Sequence, residues 1–227
     1  SNNTAMGRKA LQDNTTADNN TALGYSALQA NTTGVGNTAL GSLAGDALTV
    51  GGFNTAIGHT ALGADTKGSH SVALGYGALT SQNFTSATNA FNTAIGNNSL
   101  YANTTGSGNT GVGYSSLYTN STGVNNTGTG TQSLQNNTTG SYNTGVGKGS
   151  LLANTTATGN TGLGYATLIT NTTGAKNVAV GYEALFANTT GNYNTAIGGA
   201  SLDANTTGNY NAAIGYHALG GNTTGDG

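Results

Sequence analysis

The ionisable side chains that could perform catalysis or bind a metal are few and scattered along this 227-residue chain. There are seven acidic residues, five basic residues, three histidines and no cysteine. The acidic residues and histidines are Asp13, Asp18, Asp46, Asp65, Glu183, Asp203, Asp226, His59, His70 and His217. No two of them have catalytic or metal-binding spacing, and no carboxylate recurs as calcium-binding β-rolls require. The sequence therefore predicts no enzyme, no cofactor and no metal site.

Composition excludes further classes of function. Five basic residues are too few for the positive surface of a nucleic-acid-binding protein. No apolar run approaches the roughly 18 residues of a membrane span, so we expect no membrane insertion in this segment. A polysaccharide-cleaving site would need carboxylates clustered in the irregular stretches 42–53 or 80–91, where a solenoid most often carries a binding loop.

An internal repeat of 17 residues organises the whole chain, so residues 1–227 are predicted to form a single repeat array. Its unit is Asn-Thr-Ala-Ile-Gly-Tyr-x-Ala-Leu-x-x-Asn-Thr-Thr-Gly-x-x, and its positions are numbered here as columns 1 to 17. The units begin at residues 3, 20, 37, 54, 71, 92, 109, 126, 143, 160, 177, 194 and 211. The step from Ser71 to Asn92 is four residues longer, which places an insert within 80–91.

The composition of the unit favours β-structure over helices. Glycine costs about 1 kcal/mol per helical position relative to alanine, and threonine and asparagine are also poor helix formers. Columns 2 to 6 alternate in character, and Asn-Thr-Thr-Gly is typical of turns. The sequence thus predicts an all-β protein, a parallel β-solenoid or β-roll of about 13 coils. Coils stacked about 4.8 Å apart would extend over roughly 60 Å.

Four columns predict how a coil packs. Column 5 is always glycine, which suggests a positive φ or a close backbone approach. Columns 4 and 9 are mostly bulky and apolar, so they are predicted to form the core. Column 3 is always alanine or glycine, and we expect this opposite face to pack against another chain, most plainly in a homotrimer. The predicted core residues are Leu23, Leu28, Ile57, Leu62, Ile95, Leu100, Val112, Leu117, Val146, Leu151, Leu163, Leu168, Val180, Leu185, Ile197, Leu202, Ile214 and Leu219.

The asparagine of column 12 begins an Asn-Thr-Thr triplet that matches the N-glycosylation pattern. Candidate sites are Asn31, Asn103, Asn137, Asn154, Asn171, Asn188 and Asn205. Glycans on consecutive coils would clash at a separation of about 4.8 Å. A ladder of stacked amides is therefore the favoured interpretation, with sparse N-glycans or O-glycans on threonine as the alternative.

Two further features bear on binding. Column 2 is threonine in 10 of 13 units, and a regular threonine array on a flat solenoid can bind ice, although threonine is also simply a good strand former. Tyrosine recurs in column 6, and aromatic residues recur in column 17. Such rows could stack on sugar rings, or they could cover the coil edge or fill an interface between chains.

The motif Asn-Thr-Ala-Ile-Gly-x-x-Ala-Leu, found at Asn54–Leu62 and, with serine in place of the second alanine, at Asn194–Leu202, resembles the head repeats of YadA-type trimeric autotransporter adhesins. Those repeats form trimers of left-handed parallel β-rolls from a shorter unit. The longer unit with Asn-Thr-Thr-Gly is also similar to repeats of phage tail fibres and large bacterial surface proteins. The resemblance covers essentially the whole chain, and it implies an extracellular fibre module at a cell surface or on a virion.

The function predicted from the sequence is structural and adhesive. We expect an extracellular fibre segment that extends and presents binding surfaces, with itself as a partner and a host-surface glycan or protein as a possible second partner. The alternatives are a self-assembling filament subunit and an ice-binding solenoid. The sequence does not distinguish a phage fibre from a bacterial adhesin, because the fold would be shared.

Overall fold

The protein is a parallel β-solenoid, seen in a computed structural model that describes residues 2–227. All of the regular elements in this range are strands, and each repeat contributes one three-residue strand over columns 2 to 4. The predicted all-β solenoid is therefore confirmed. The strands are β1 (Thr4–Met6), β2 (Thr21–Leu23), β3 (Thr38–Leu40), β4 (Thr55–Ile57), β5 (Gly68–Ser69), β6 (Val72–Leu74), β7 (Thr88–Asn89), β8 (Thr93–Ile95), β9 (Thr110–Val112), β10 (Thr127–Thr129), β11 (Thr144–Val146), β12 (Thr161–Leu163), β13 (Val178–Val180), β14 (Thr195–Ile197) and β15 (Ala212–Ile214).

The chain divides into two compact units, one ending at Val112 and the other beginning at Gly113. In the first unit the sheet order is β1-β2-β3-β4-β6-β8-β9, and in the second it is β10 to β15 in sequence. Every pairing is parallel and joins residues of the same column, as in Thr144 with Thr161. The 17-residue repeat thus corresponds to one coil of the solenoid.

The irregular coil of the first unit keeps this register despite its extra residues. Val72 pairs with Thr93, 21 residues ahead, so both strands still occupy column 2. The short strands β5 and β7 pair beside it as a separate two-stranded sheet, with Gly68 opposite Thr88. The additional residues are accommodated between Asn83 and Asn92, and the main sheet is undisturbed.

Each coil closes through residues with positive φ in columns 5, 7, 9 and 17. In column 5, Gly130 has a φ of 125°, and a Cβ there would lie 2.7 Å from the carbonyl oxygen of Gly147. Both reasons suggested for glycine therefore apply in this column. Column 9 is less expected, because its leucines are also left-handed, as Leu134 (52°) and Leu151 (55°) show. A left-handed conformation costs a non-glycine residue about 1 kcal/mol or more, so packing must hold these leucines in place.

The interior of the coil is built from column 9 together with the small residues of columns 3 and 8. The leucines of column 9 are fully buried along both units, at Leu28, Leu62, Leu79, Leu100, Leu117, Leu134, Leu151, Leu168, Leu185 and Leu202. The alanines of column 3, such as Ala56 and Ala196, are equally buried. Leu219, in the last coil, is half exposed. The predicted core is therefore correct for column 9, apart from Leu219.

The prediction was wrong for columns 3 and 4, whose roles are exchanged. Column 3 faces inward and cannot be the contact with another chain, while column 4 faces outward. The alternation along the strand is as predicted, but its phase is opposite, because one leucine per coil already fills most of the narrow interior. The exposed members are Leu23, Ile95, Leu163, Ile197 and Ile214, and the partly exposed members are Ile57, Val112, Val146 and Val180.

Columns 3 and 8 are matched in size inside the coil. Ser133 in column 8 donates a hydrogen bond of 2.9 Å to the carbonyl of Gly145, which occupies column 3 of the next coil. Ser116 with Gly128 and Ser150 with Gly162 repeat the arrangement at 2.8 and 3.0 Å. Where column 8 is alanine, as at Ala27, column 3 of the next coil is alanine too. Glycine makes room for the serine hydroxyl in these three pairs, whereas Ser201 faces Ala213 with a longer bond of 3.2 Å.

Candidate functional site

The asparagines of column 12 form a buried amide ladder. Asn171 donates through Nδ2 to Oδ1 of Asn154 (3.1 Å) and to the carbonyl of Gly174 (2.9 Å), and it accepts from Asn188 (2.8 Å). Column 1 forms a second ladder, in which the backbone N–H of Asn160 donates to Oδ1 of Asn143. The predicted ladder is confirmed in column 12 of the second unit, and column 1 provides another.

This ladder corrects the glycosylation prediction. The side chains of all seven candidates are fully buried, and each donates its Nδ2 to the carbonyl three residues later in its own turn. A glycan needs that same nitrogen and open space around it, so the folded coil cannot carry one. The candidates are Asn31, Asn103, Asn137, Asn154, Asn171, Asn188 and Asn205.

The outward face of the parallel sheet carries two side-chain rows. Column 4 supplies an apolar row, in which Leu163 is 42% exposed and Ile197 is 39% exposed. Column 2 supplies a threonine row beside it, including Thr144 and Thr161, which are partly exposed. In the second unit, Thr129 of β10 is the polar exception in column 4. The face is therefore half apolar and half hydroxylated.

Aromatic residues of column 6 stack on those of column 6 in the neighbouring coil, and aromatic residues of column 17 do the same within their own column. Tyr165 and Tyr182 are nearly parallel with ring centroids 5.2 Å apart, and Tyr193 and Tyr210 have the same separation. In the first unit, His59 stacks on Tyr76 in the same way. Because ring faces are used for these contacts, an aromatic row presents mainly ring edges to solvent, and only a ring at the start of a row keeps a free face.

Cations cover one face of two of the tyrosine rings. Arg8 lies 5.7 Å from the ring centroid of Tyr25, and Lys176 lies 5.0 Å from that of Tyr193. Lys176 also donates a hydrogen bond of 3.0 Å to the Tyr193 hydroxyl, and this bond raises the pKa of Lys176. These ring faces are not open to a ligand in the structure.

A notch beside Tyr165 is a concave feature of the second unit. It has a volume of about 120 Å³ and is lined by Gln132, Lys148, Gly149, Leu152, Tyr165, Ala166 and Ile169. Tyr165 was noted in the sequence only as part of a row, and Leu152 and Ile169 were not singled out at all. Each comes from a column of variable residue type, so the repeat pattern gives no signal for them.

The histidines and acidic residues of the described range lie apart from one another or in small local contacts. Within residues 2–227, no three side chains of histidine, aspartate or glutamate lie close enough together to hold a metal ion. His70 packs between Phe53 and Phe91. His217 lies 3.8 Å from Asp203 at an exposed position.

One carboxylate is fully buried, in the irregular coil of the first unit. Asp65 takes the place of asparagine in column 12, and its Oδ1 accepts from the backbone N–H of Gly68 at 2.9 Å. Gln82 donates to Oδ2 of Asp65 at 2.7 Å, and Asn92 donates to Gln82 at 2.8 Å. The cluster thus continues the amide ladder with a different set of side chains, and its chemistry is structural.

The comparisons with known proteins return nothing. No protein-family model, no curated protein sequence and no solved structure matches the chain. Within residues 2–227, no helix is long and apolar enough to cross a membrane.

Proposed function

We propose that this protein is a structural and adhesive segment of an extracellular fibre, and that it assembles with copies of itself through the outward face of its parallel sheet. The observation that carries the proposal is the apolar row of column 4, which lies in solvent in an isolated chain. Met6, Leu40 and Ile214 are 69%, 43% and 76% exposed. Large apolar side chains in an outward row, here interrupted only at Thr129, are typical of a surface that another chain covers.

The outward face is long and narrow. The six strands of the second unit, spaced by about 4.8 Å, present a face about 25 to 30 Å long and about 10 Å wide, or about 300 Å². The largest apolar patch of an ordinary monomer is about 300 to 600 Å² and is often functional. The first unit carries a similar face on its seven main-sheet strands.

A parallel homotrimer is the assembly we propose, with column 4 replacing column 3 as the contact. The resemblance of Asn194–Leu202 to repeats of trimeric adhesins supports it. Identical coils give identical rows in every copy, so copies aligned in register bring column 4 against column 4 along their length. The role is not enzymatic, and the partners besides the chain itself are surface glycans or proteins.

Sedimentation equilibrium tests this proposal. We expect three times the chain mass of 22.2 kDa for the wild type. Replacing Leu163 and Ile197 with lysine should dissociate the assembly, because charges buried against an apolar row lack partners. Replacing Thr173, an exposed threonine of column 14, with lysine is the matched control and should leave the mass unchanged.

A monomeric wild type would refute self-assembly through this face, as would dissociation by the control alone. Open-ended growth with concentration would instead identify a filament subunit.

Ice binding is a second candidate, because column 2 points outward as a threonine row that is interrupted at Val178. Thr144, Thr161 and Thr195 lie on this face next to column 4. Thermal hysteresis by a monomeric chain would favour this function, and its absence would exclude it.

A further inference from the structure

The notch beside Tyr165 has an open aromatic ring face as one wall. Tyr182 stacks on Tyr165 from the following coil, with an angle of 14° between the rings. Lys148 and Gly149, in the coil before, line the notch on the other side. The ring face that Tyr182 does not cover therefore faces the notch.

This openness distinguishes Tyr165 from two other tyrosines that also follow a basic residue of the same column. Arg8 lies over Tyr25 and Lys176 lies over Tyr193. Lys148 occupies the equivalent position before Tyr165, but here a cavity of about 120 Å³ lies among the lining residues. The notch therefore has room for a few water molecules, or for part of one small ring that also contacts solvent.

The floor of the notch is apolar because of one glycine. A Cβ on Gly149 would lie 3.6 Å from Cδ1 of Ile169 and 3.9 Å from Cδ1 of Leu152, so any side chain there would enter the notch. Gly149 also has a φ of 67°, which suits the left-handed conformation of column 7. The absence of a side chain at this position therefore creates both the space and its apolar floor.

The polar residues of the notch are Gln132 and Lys148. Gln132 offers an amide that both donates and accepts hydrogen bonds, and Lys148 offers a positive charge. The nearest acidic residue of column 7 in the following coils is Glu183, which hydrogen-bonds with Tyr182 and raises its pKa. Lys148 is therefore the charge that an incoming ligand meets.

We propose that this notch binds one ring of an acidic saccharide. A sugar ring presents a face of C–H groups that packs on an aromatic ring, hydroxyls that bond to an amide, and in uronic acids a carboxylate that pairs with an ammonium group. In this arrangement the sugar lies on Tyr165, its hydroxyls bond to Gln132, and its carboxylate contacts Lys148. The proposal names a ligand class for the adhesive part of the proposed function, and it does not depend on the trimer.

Ligand-observed NMR with two simple probes tests this site on the full chain. We expect saturation transfer to methyl β-D-glucuronide, with a Kd of about 1 mM since only one ring is bound, and at least tenfold weaker binding of methyl β-D-glucoside. Replacing Lys148 with glutamine should remove this difference. Salt at about 1 M, where the Debye length is about 3 Å, should do the same for the wild type.

Two variants test the geometry. Tyr165→Thr removes the ring, and column 6 already accommodates threonine at Thr131. Gly149→Gln fills the notch, and column 7 already holds glutamine at Gln132 with a φ of 60°. Both should lose binding at least tenfold while retaining the β-sheet circular dichroism of the wild type.

Tyr114→Thr is the matched control, since Tyr114 is an exposed tyrosine of the same column and does not line the notch. It should bind as the wild type does. Equal losses in Tyr114→Thr and Tyr165→Thr would overturn the site, equal binding of both sugars would overturn the acidic class, and binding of neither would overturn the proposal. If the chain binds neither sugar but sediments with the mass of a trimer, the saccharide proposal fails and the assembly proposal still holds.

Discussion

Replacing Gly145 with alanine tests how tightly the interior of the coil is packed. A Cβ at Gly145 would lie 2.6 Å from Oγ of Ser133, 3.2 Å from the carbonyl oxygen of Ser150 and 3.4 Å from Cγ of Leu134. These neighbours are fully buried, so they have little room to move. Overpacking of this kind costs about 1 to 3 kcal/mol, and we expect Gly145→Ala to lower the free energy of unfolding by that amount.

A second mutation, Ser133→Ala, removes the hydroxyl that the new methyl group at position 145 would meet. Ser133→Ala alone should cost about 1 kcal/mol, because the buried hydrogen bond to the carbonyl of Gly145 is lost. The double variant places alanine in both columns, which is the combination that Ala27 and Ala39 already form in the first unit. Its alanine methyl no longer meets a hydroxyl, so the loss should be smaller than the sum of the single losses.

Urea denaturation followed by circular dichroism measures this coupling. We expect a coupling of at least about 1 kcal/mol, within the range for residues in contact. The bond from Ser201 to Ala213, at 3.2 Å, supports the reasoning, because it is longer than the bonds that end on glycine. If the two single losses simply add, the matching of columns 3 and 8 does not arise from steric exclusion, and the packing argument fails.

Three further substitutions test other parts of the coil. Asn171→Ala should cost about 2 to 3 kcal/mol in urea denaturation, since it interrupts the ladder and leaves buried amide groups with fewer partners; the exposed Thr173→Ala is its control, and equal costs would contradict a role for the ladder. Ala200→Gly should raise the melting temperature, because it relieves a left-handed φ of 51° and so gains about 1 kcal/mol. Its control is Ala204→Gly, which should lower the melting temperature because φ is not positive there. Stabilisation by both substitutions would show that strain is not the cause. Burial raises the pKa of Asp46, so its contribution to stability is complete below the pKa of the unfolded chain and is lost as pH rises through the folded value. The unfolding free energy of the wild type should therefore fall relative to that of Asp46→Asn between acidic and neutral pH, and a constant difference would refute this.

The period of the repeat was enough to predict the solenoid, because a 17-residue unit rich in glycine and asparagine has few other ways to pair its strands. The repeat did not predict which residues of each strand face inward. Alternation alone allows either Ala196 or Ile197 to face inward, and hydrophobicity favours the isoleucine. The interior is narrower than that rule assumes, so alanine enters and isoleucine faces outward. The pairing of Gly145 with Ser133 was a signal that could have fixed the phase, since a glycine matched to a serine indicates close contact.

The asparagine ladder and the notch also differ in how far the sequence predicts them. The buried ladder at Asn171 follows from a column repeated in nearly every coil, and stacking alone brings those amides together. The notch depends on residues that break the pattern, since Gly149, Leu152 and Ile169 occupy columns of variable type. Their proximity arises from coil geometry, which the sequence specifies only once the positions of the left-handed residues are known.

The buried cluster around Asp65 has a consequence for how the chain finds its native alignment. Nearly identical coils can stack correctly even when one is skipped and looped out, because every column still meets its own kind and the core changes little. Asp65, Gln82 and Asn92 make hydrogen bonds that only neighbouring coils in the native order can form. A skipped coil there would leave Oδ2 of the buried Asp65 carboxylate without its donor from Gln82, at a cost of about 1 to 3 kcal/mol or more. The irregular coil therefore fixes the order in which the uniform coils of its unit stack.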